Sequence, residues 1–360
     1  MKTVDFIVPA FLPPYWGGTE TVLKTLEKKY SESPDKRIKI NFIIPFNSTE
    51  GYIFNNKQEN HFYPTARFKS KRLVKLIGLL YLVNYFFRTK TDEIIIISPN
   101  IIDLAKFCSF FNRKYKIVSW VHFSLSHRFS NRQKTFNKAD YHMAISSGIK
   151  KQLVNMGIEK EKISVIYNPI SKKEKTIPQS KVASFVYVGR VQFLKQKNLQ
   201  ELIRACSIFN EKVSEWNLSI FGDGSDIEMV KRLVSDLGLS EHIEFMGWSD
   251  DPWIDIDSAT ALIMTSTYEG LPMASLEALS YGIPVISSDI ETGPDDEINP
   301  MNGKLYELGN VEKLAELMLE LSNQNSFYSR DNVKKSIKKF YSDEYFSNLT
   351  EVLVNIGEKR

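Results

Sequence analysis

The sequence predicts an α/β protein of two doubly wound domains, and three observations carry that prediction. At 360 residues the chain exceeds the size at which one core keeps growing. Short apolar runs alternate with helical patterns almost from end to end, the signature of stacked βαβ units and parallel sheets. A polar, aperiodic stretch at residues 171–181 divides the alternation into two series. In the first, strand-like runs fall at residues 4–9, 38–44, 93–98, 116–121, 141–146 and 163–167, with helical patterns in most gaps. The second opens at 184–189 and continues at 217–221, 242–245, 261–265, 284–287 and 304–306. The expected domains are therefore residues 1–170 and 182–340, joined by the linker 171–181, with a terminal helix at 341–360 free to pack back on the first domain. Ligands of doubly wound sheets sit beyond the carboxyl ends of the strands, so a ligand held by both domains would occupy a cleft that they face.

An apolar fraction of 42% and a charged fraction of 25% exclude the disordered and fibrous classes. The net charge of +4 conceals an asymmetry: residues 1–180 carry 30 basic and 14 acidic side chains, and residues 181–360 carry 17 and 29. The basic half is sharpest at residues 61–90, where Arg67, Lys69, Lys71, Arg72, Lys75, Arg88 and Lys90 occur without one acidic residue. Between them lies an apolar run at 76–87, shorter than the about 20 residues that a membrane span needs. It reads either as a core helix with a solvated basic flank or as a helix resting on an anionic membrane surface through residues 67–90. Nucleic acid is not an expected partner, since no zinc spacing, aromatic RNA-binding motif or recognition-helix signature occurs. Cys108 and Cys206 lie apart in apolar, helix-like stretches and read as inert thiols, not as a disulfide or a metal site. The N-terminus enters a strand pattern with no cleavable apolar leader, so a cytoplasmic location is expected.

Residues 266–279 run Ser-Thr-Tyr-Glu-Gly-Leu-Pro-Met-Ala-Ser-Leu-Glu-Ala-Leu and place Glu269 and Glu277 across the start of a helix. Pro272 suits the first helical turn, which would leave Glu269 in the preceding loop and Glu277 inside the helix. The free N–H groups of that turn favour phosphate, and the flanking carboxylates can hold hydroxyls on either side. Two solvated glutamates on a capped surface helix would look the same in isolation, so their company decides. Arg190 and Lys197 fall just after the first strand of the second series, before a helix that starts near Asn198. Two fixed cations at a strand's carboxyl end can stabilise a leaving diphosphate, although loop cations are more often merely solvated. Gly222-Asp223-Gly224 follows another strand and would allow a tight turn near a ligand.

In the first domain Gly17-Gly18-Thr19 lies between the first strand and its helix, where backbone N–H groups can approach a ligand or form a simple tight turn. His122 follows the strand at 116–121, at a carboxyl end, and is either a cleft residue or a satisfied structural one. Asp255 and Asp257 are set aside as metal ligands because they lie in a helix-like stretch far from the cationic pair. Neither a Gly-x-Gly-x-x-Gly after the first strand nor a P-loop motif occurs, which removes the main support for dehydrogenase and P-loop readings.

Together these residues resemble the family 4 glycosyltransferases with the GT-B fold, two Rossmann-like domains facing a cleft. The likeness spans nearly the whole chain: Gly17-Gly18, His122, Asn168-Pro169, Gly189-Arg190 with Lys197-Asn198, Gly222-Asp223-Gly224, Phe245-Met246-Gly247, and Glu269 with Glu277 around Gly270-Leu271-Pro272. It implies that Arg190 and Lys197 bind the donor diphosphate and that Glu269, beside Gly270 and Leu271, binds the transferred sugar. Glu277 would take the ribose, backbone near Met246 the base, His122 the sugar and acceptor, and Gly18 the phosphates. Lys197 stands seven residues after Arg190, somewhat further than is usual, with Lys195 as a rival. That spacing, and Ser287-Ser288-Asp289 followed by Gly293-Pro294, is similar to the bacterial lipopolysaccharide galactosyltransferases of the family. The implied enzyme is a retaining hexosyltransferase that needs no metal or cofactor. It would move a sugar from a UDP-sugar to a bacterial surface glycan or lipid-linked acceptor, in the cytoplasm or on the inner face of the plasma membrane. The alternatives are a UDP-sugar epimerase on the same fold and a noncatalytic glycan-binding partner of another transferase.

Overall fold

Runs rich in Val, Ile and Phe favour the pleated backbone, and in a sheet covered on both faces they need no polar alternation. The strands Glu93–Ile96 and Ala261–Met264 show this, buried at every position. The computed structural model describes residues 1–8, 18–32, 35–46, 60–65, 70–112, 114–128, 130–323 and 328–356. The chain forms two compact units, residues 1–169 with 342–360 and residues 170–341. The polar stretch 171–181 is irregular backbone within the second unit, where Ile177 is fully buried and donates its N–H to the Tyr281 carbonyl at 2.9 Å.

The first unit holds strands β1 (Lys2–Ile7), β2 (Ile38–Ile43), β3 (His61–Phe62), β4 (Glu93–Ile96), β5 (Lys116–Val121), β6 (Tyr141–Ala144) and β7 (Ile163–Val165). They pair in the order β3-β2-β1-β4-β5-β6-β7, parallel throughout. Helices α1 (Gly18–Glu32), α2 (Lys71–Arg88), α3 (Pro99–Ser109), α4 (Leu125–Arg128), α5 (Gln133–Phe136) and α6 (Ser147–Asn155) lie between the strands. The two-residue β3 is too short to leave a periodicity. Glu93 on β4 is 1% exposed, with its carboxylate 2.6 Å from the Lys2 ammonium. Burial pushes its pKa from 4.5 up to about 7, against the pull of Lys2. The folded state thus keeps a proton that the unfolded chain has released, so stability falls as pH rises from 4.5 to about 7. Glu93→Gln should remove a decline of about 3 kcal/mol. Parallel melting-temperature profiles of the two proteins between acid and neutral pH would contradict this.

α2 is apolar on two sides. Val74, Gly78, Leu82 and Phe86, four apart, are buried against the unit. Leu73, Leu76, Leu80 and Phe87 are 47%, 54%, 60% and 41% exposed. The Phe87 ring lies 5.5 Å from that of Phe111, which lies 5.8 Å from Phe107, so the exposed surface runs on to Phe107 on α3 and to Phe110 and Phe111 just past its end. No described helix is long and apolar enough to cross a membrane.

The second unit holds β8 (Ala183–Val188), β9 (Trp216–Phe221), β10 (Ile243–Gly247), β11 (Ala261–Met264), β12 (Val285–Asp289) and β13 (Gly303–Glu307). They run parallel in the order β10-β9-β8-β11-β12-β13. Its helices are α7 (Leu199–Asn210), α8 (Ile227–Asp236), α9 (Met273–Ser280), α10 (Pro294–Glu297), α11 (Val311–Ser322) and α12 (Arg330–Ser336). Phe185, Phe209 and Trp216 pack edge to face in its core, with ring centroids 5.4 and 5.6 Å apart. The order reverses beside β8, which lies between β9 and β11. Ligands of doubly wound sheets bind at the strands' carboxyl ends beside such a switch point, which draws attention to the loops leaving β8 and β11.

The last helix, α13 (Ser342–Asn355), belongs to the first unit and packs against α1 and β2. At its carboxyl end the Lys2 ammonium donates to the carbonyls of Leu353 and Ile356, both at 2.7 Å. A cation there satisfies orphan acceptors and complements the helix dipole.

Candidate active site

Arg190 leaves β8 on a backbone held from both sides. The N–H groups of Gly189 and Val191 donate to the carbonyls of Phe221 and Asp223, each at 2.9 Å, which extends the β8–β9 ladder past the ends of both strands. The fit demands glycine opposite. A Cβ on Gly222, whose φ is +135°, would stand 1.9 Å from the Gly189 oxygen, and one on Gly224 would stand 2.1 Å from the Val191 oxygen. The Tyr187 hydroxyl donates to the Arg190 carbonyl at 2.8 Å. Only the guanidinium of Arg190 is left to project, exposed, and it donates to the Gln196 side chain at 2.9 Å.

The loop then folds back on itself, with the N–H groups of Leu199 and Gln200 donating to the carbonyls of Gln192 and Phe193 at 3.0 Å. Asn198 makes the turn at φ 47°, and among the described residues no other non-glycine has a positive φ. Asparagine tolerates that region, and here its amide donates to Glu201 at 2.6 Å. The Thr265 hydroxyl at the end of β11 donates to the Lys197 carbonyl at 3.0 Å. Lys197 thereby reaches Glu269, Nζ to Oε1 at 2.6 Å, with side chains 17% and 10% exposed. Lys195 turns away, 65% exposed and 3.5 Å from Asp226. Of the two lysines that the spacing leaves as rivals, Lys197 is the one beside the carboxylate.

Glu269 is buried in the loop between β11 and α9, and its carbonyl accepts the Thr292 hydroxyl. Pro272 does not open the first turn as the sequence suggests. With φ −75° and ψ 107° it is the N-cap, and α9 begins at Met273. A proline's missing N–H is as harmless at the cap as one residue later, so sequence alone does not separate the two positions. No side chain caps α9, so its positive end opens between Glu269 and Glu277, the fifth residue of the helix. Glu277 accepts the Trp253 indole N–H at 3.0 Å; burial raises its pKa, and that hydrogen bond opposes the rise. Gly270 is half-buried and Leu271 buried on the same loop. Met246 sits at a β-bulge where the β9–β10 register shifts, 42% exposed. Gln196, Trp253 and Thr292 escaped the sequence reading. The long Arg190–Lys197 spacing was a signal for Gln196, and Gly293-Pro294 was one for its neighbour Thr292; nothing local marks Trp253.

In the first unit Gly18 is the first residue of α1, while Gly17 lies outside the described residues. His122 follows β5, 5% exposed, with its ring centroid 4.4 Å from that of Trp120. Neither ring nitrogen has a hydrogen-bond partner among the described residues, and burial lowers the pKa to about 3. The imidazole is therefore neutral at physiological pH and has one donor and one acceptor to offer, but no charge. Asp255 and Asp257 lie at bends, not in the helix-like stretch expected, because the chain turns at 251–255 and forms no helix between there and Ala261. Among the described residues no three His, Cys, Asp or Glu side chains converge as a metal site.

Residues 170–340 match the model of the family described as glycosyl transferases group 1. The chain is 37% identical over 252 residues to a lipopolysaccharide 1,6-galactosyltransferase of Escherichia coli K12, covering 68% of this chain and 69% of that protein. It is 39% identical over 255 residues to the protein of that name from Salmonella typhimurium LT2, covering 69% and 70%. Among solved structures, the apo form of the lipopolysaccharide outer core galactosyltransferase WaaB is similar with a TM-score of 0.83 and 32% identity, over 98% of this chain and 99% of that one. The chain belongs to the group 1 glycosyl transferases and has their GT-B fold of two Rossmann-like domains.

Proposed function

We propose that this chain is a retaining, metal-independent hexosyltransferase of family 4, moving a sugar from a UDP-sugar to a bacterial cell-envelope glycan or its lipid-linked precursor. One observation carries the reading: at the switch point of the second sheet Lys197 pairs with Glu269 in the loop before α9, Arg190 is linked to Glu269 through Gln196, and Glu277 lies inside α9, whose N-cap makes no side-chain hydrogen bond. A sugar nucleotide has the matching order of hydroxyls, diphosphate and hydroxyls. Arg190 and Lys197 bind the diphosphate, Glu269 with Gly270 and Leu271 binds the sugar, and Glu277 binds the ribose. Backbone at the Met246 bulge meets the base, and Gly18 is proposed as a phosphate contact. His122, neutral, hydrogen-bonds the sugar or the acceptor.

In the reaction the acceptor oxygen bonds to the anomeric carbon on the face from which the diphosphate departs, and its proton passes to a leaving-group oxygen. The products are the glycoside and UDP. Negative charge grows on the departing oxygen, so cations fixed beside it stabilise the transition state more than the bound donor. UDP should raise the melting temperature of the isolated protein, since a ligand at a hundred times its Kd adds about 2.7 kcal/mol to the native state. A protein indifferent to UDP but stabilised by ADP or GDP would overturn the donor assignment. Release of UDP without any acceptor would favour an epimerase.

From the proposed acceptor class we infer that the enzyme works in the cytoplasm at the inner face of the plasma membrane. The outer face of α2, continued by Phe107, Phe110 and Phe111, presents a connected apolar surface of a kind that monomers seldom leave to water. Lys71, Arg72, Lys75, Arg88 and Lys90 border it with no acid among residues 61–90, which matches an anionic bilayer; Arg67 and Lys69 lie outside the described residues. Flotation with phosphatidylglycerol-containing vesicles should carry the protein, and Leu80→Glu should abolish it. Equal flotation with neutral vesicles, or dimerisation through this face, would contradict the assignment.

A further inference from the structure

Building on the donor reading above, we propose that Gln196 is a positioning residue, a neutral spacer that aligns Arg190 with Glu269 and keeps the two from pairing. Its carbonyl accepts the Thr267 N–H at 2.8 Å, which ties the loop after β8 to the loop after β11. Its side chain then spans the gap. Oε1 accepts from the Arg190 guanidinium at 2.9 Å, and Nε2 donates to Glu269 Oε2 at 3.2 Å and to the Tyr268 carbonyl at 3.1 Å.

Both neighbours are one-sided. A guanidinium can only donate and a carboxylate can only accept, so the side chain between them must present an acceptor to one and a donor to the other. A primary amide does so without charge, and the same requirement fixes which way the amide points. The other Glu269 oxygen is held by Lys197 at 2.6 Å. Arg190, Gln196, Glu269 and Lys197 thus form one chain of contacts, with the carboxylate gripped at both oxygens.

The spacer has a consequence for binding. Arginine and carboxylate prefer a bidentate pair, and a guanidinium spent on Glu269 would have fewer donors for phosphate. With Gln196 between them, one of the five N–H donors of Arg190 is engaged among the described residues and the rest stay available. Glu269 likewise keeps its orientation toward sugar hydroxyls. The titratable and charged groups around Gln196 are Arg190, Lys195 and Lys197 on its own loop, Tyr268 and Glu269 on the facing loop, and Tyr187 on β8.

The test uses the full chain, with UDP binding by calorimetry and, as turnover, the acceptor-dependent release of UDP from UDP-galactose or UDP-glucose with lipopolysaccharide core as the acceptor. Gln196→Ala should lower kcat about tenfold and change the donor KM less than about threefold, since misalignment costs rate more than affinity. Gln196→Glu sets a second carboxylate against Glu269 and should be impaired at pH 8. It should recover relative to wild type toward pH 5.5, because the protonated acid again accepts from Arg190 and donates to Glu269. A structural role alone would not produce that pH-dependent rescue. A kcat within about twofold of wild type for Gln196→Ala, or a flat Gln196→Glu ratio across pH, overturns the role while leaving the donor site standing. A wild type that binds no UDP overturns both.

Discussion

Lys197→Ala is expected to lower turnover at least about a hundredfold while changing the donor KM less than about fivefold, the pattern of an interaction made mainly in the transition state. The reason lies in where the charge sits. Lys197 is 17% exposed and anchored through its carbonyl, so its ammonium is already placed when the diphosphate begins to leave. Arg190→Ala should act in the same direction, and less strongly, because an exposed guanidinium works against more solvent screening. The lysine change also strips Glu269 of its ion-pair partner, and an unpaired buried carboxylate destabilises the fold. Melting temperature must therefore be measured beside the kinetics. A steady-state assay that shows unchanged turnover in a folded Lys197→Ala protein would remove the assigned role.

Gly222→Ala should destabilise the second unit by about 3 kcal/mol or more and lower activity in whatever fraction folds. Two effects add. Its φ of +135° is poorly tolerated by any residue with a Cβ, and that Cβ would stand 1.9 Å from the Gly189 oxygen. Backbone, not a yielding side chain, is the obstacle. Relief would push the exit of β8 away from β9 and carry Arg190 with it, since its neighbours hydrogen-bond to Phe221 and Asp223. A urea midpoint equal to that of wild type would show that the clamp is looser than described.

Much of the fold was legible because parallel strands buried on both faces leave continuous apolar runs. All twelve expected runs overlap observed strands, and the one missed among the described residues, β3, is two residues long. The site was legible in part for a different reason. Arg190, Lys197 and Glu269 are residue types that need explanation at strand ends, whereas Gln196 and Trp253 take their meaning from partners 73 and 24 residues away. Lys195 and Lys197 were indistinguishable by spacing. What separates them is the turn at Asn198, which points one inward and the other to Asp226.

The return of α13 to the first unit makes the order of synthesis matter. A ribosome releases the seven strands of that unit long before the helix that completes it, with residues 170–341 translated in between. At elongation rates of about 5–20 residues per second the nascent sheet waits roughly ten to thirty seconds with one flank bare. During that interval Lys2 has no carbonyl cage to enter. An N-terminal fragment expressed alone would be arrested in the same unfinished condition, so the natural cut for dissecting this enzyme lies around the second unit and leaves the first intact only when its late-arriving helix is grafted back.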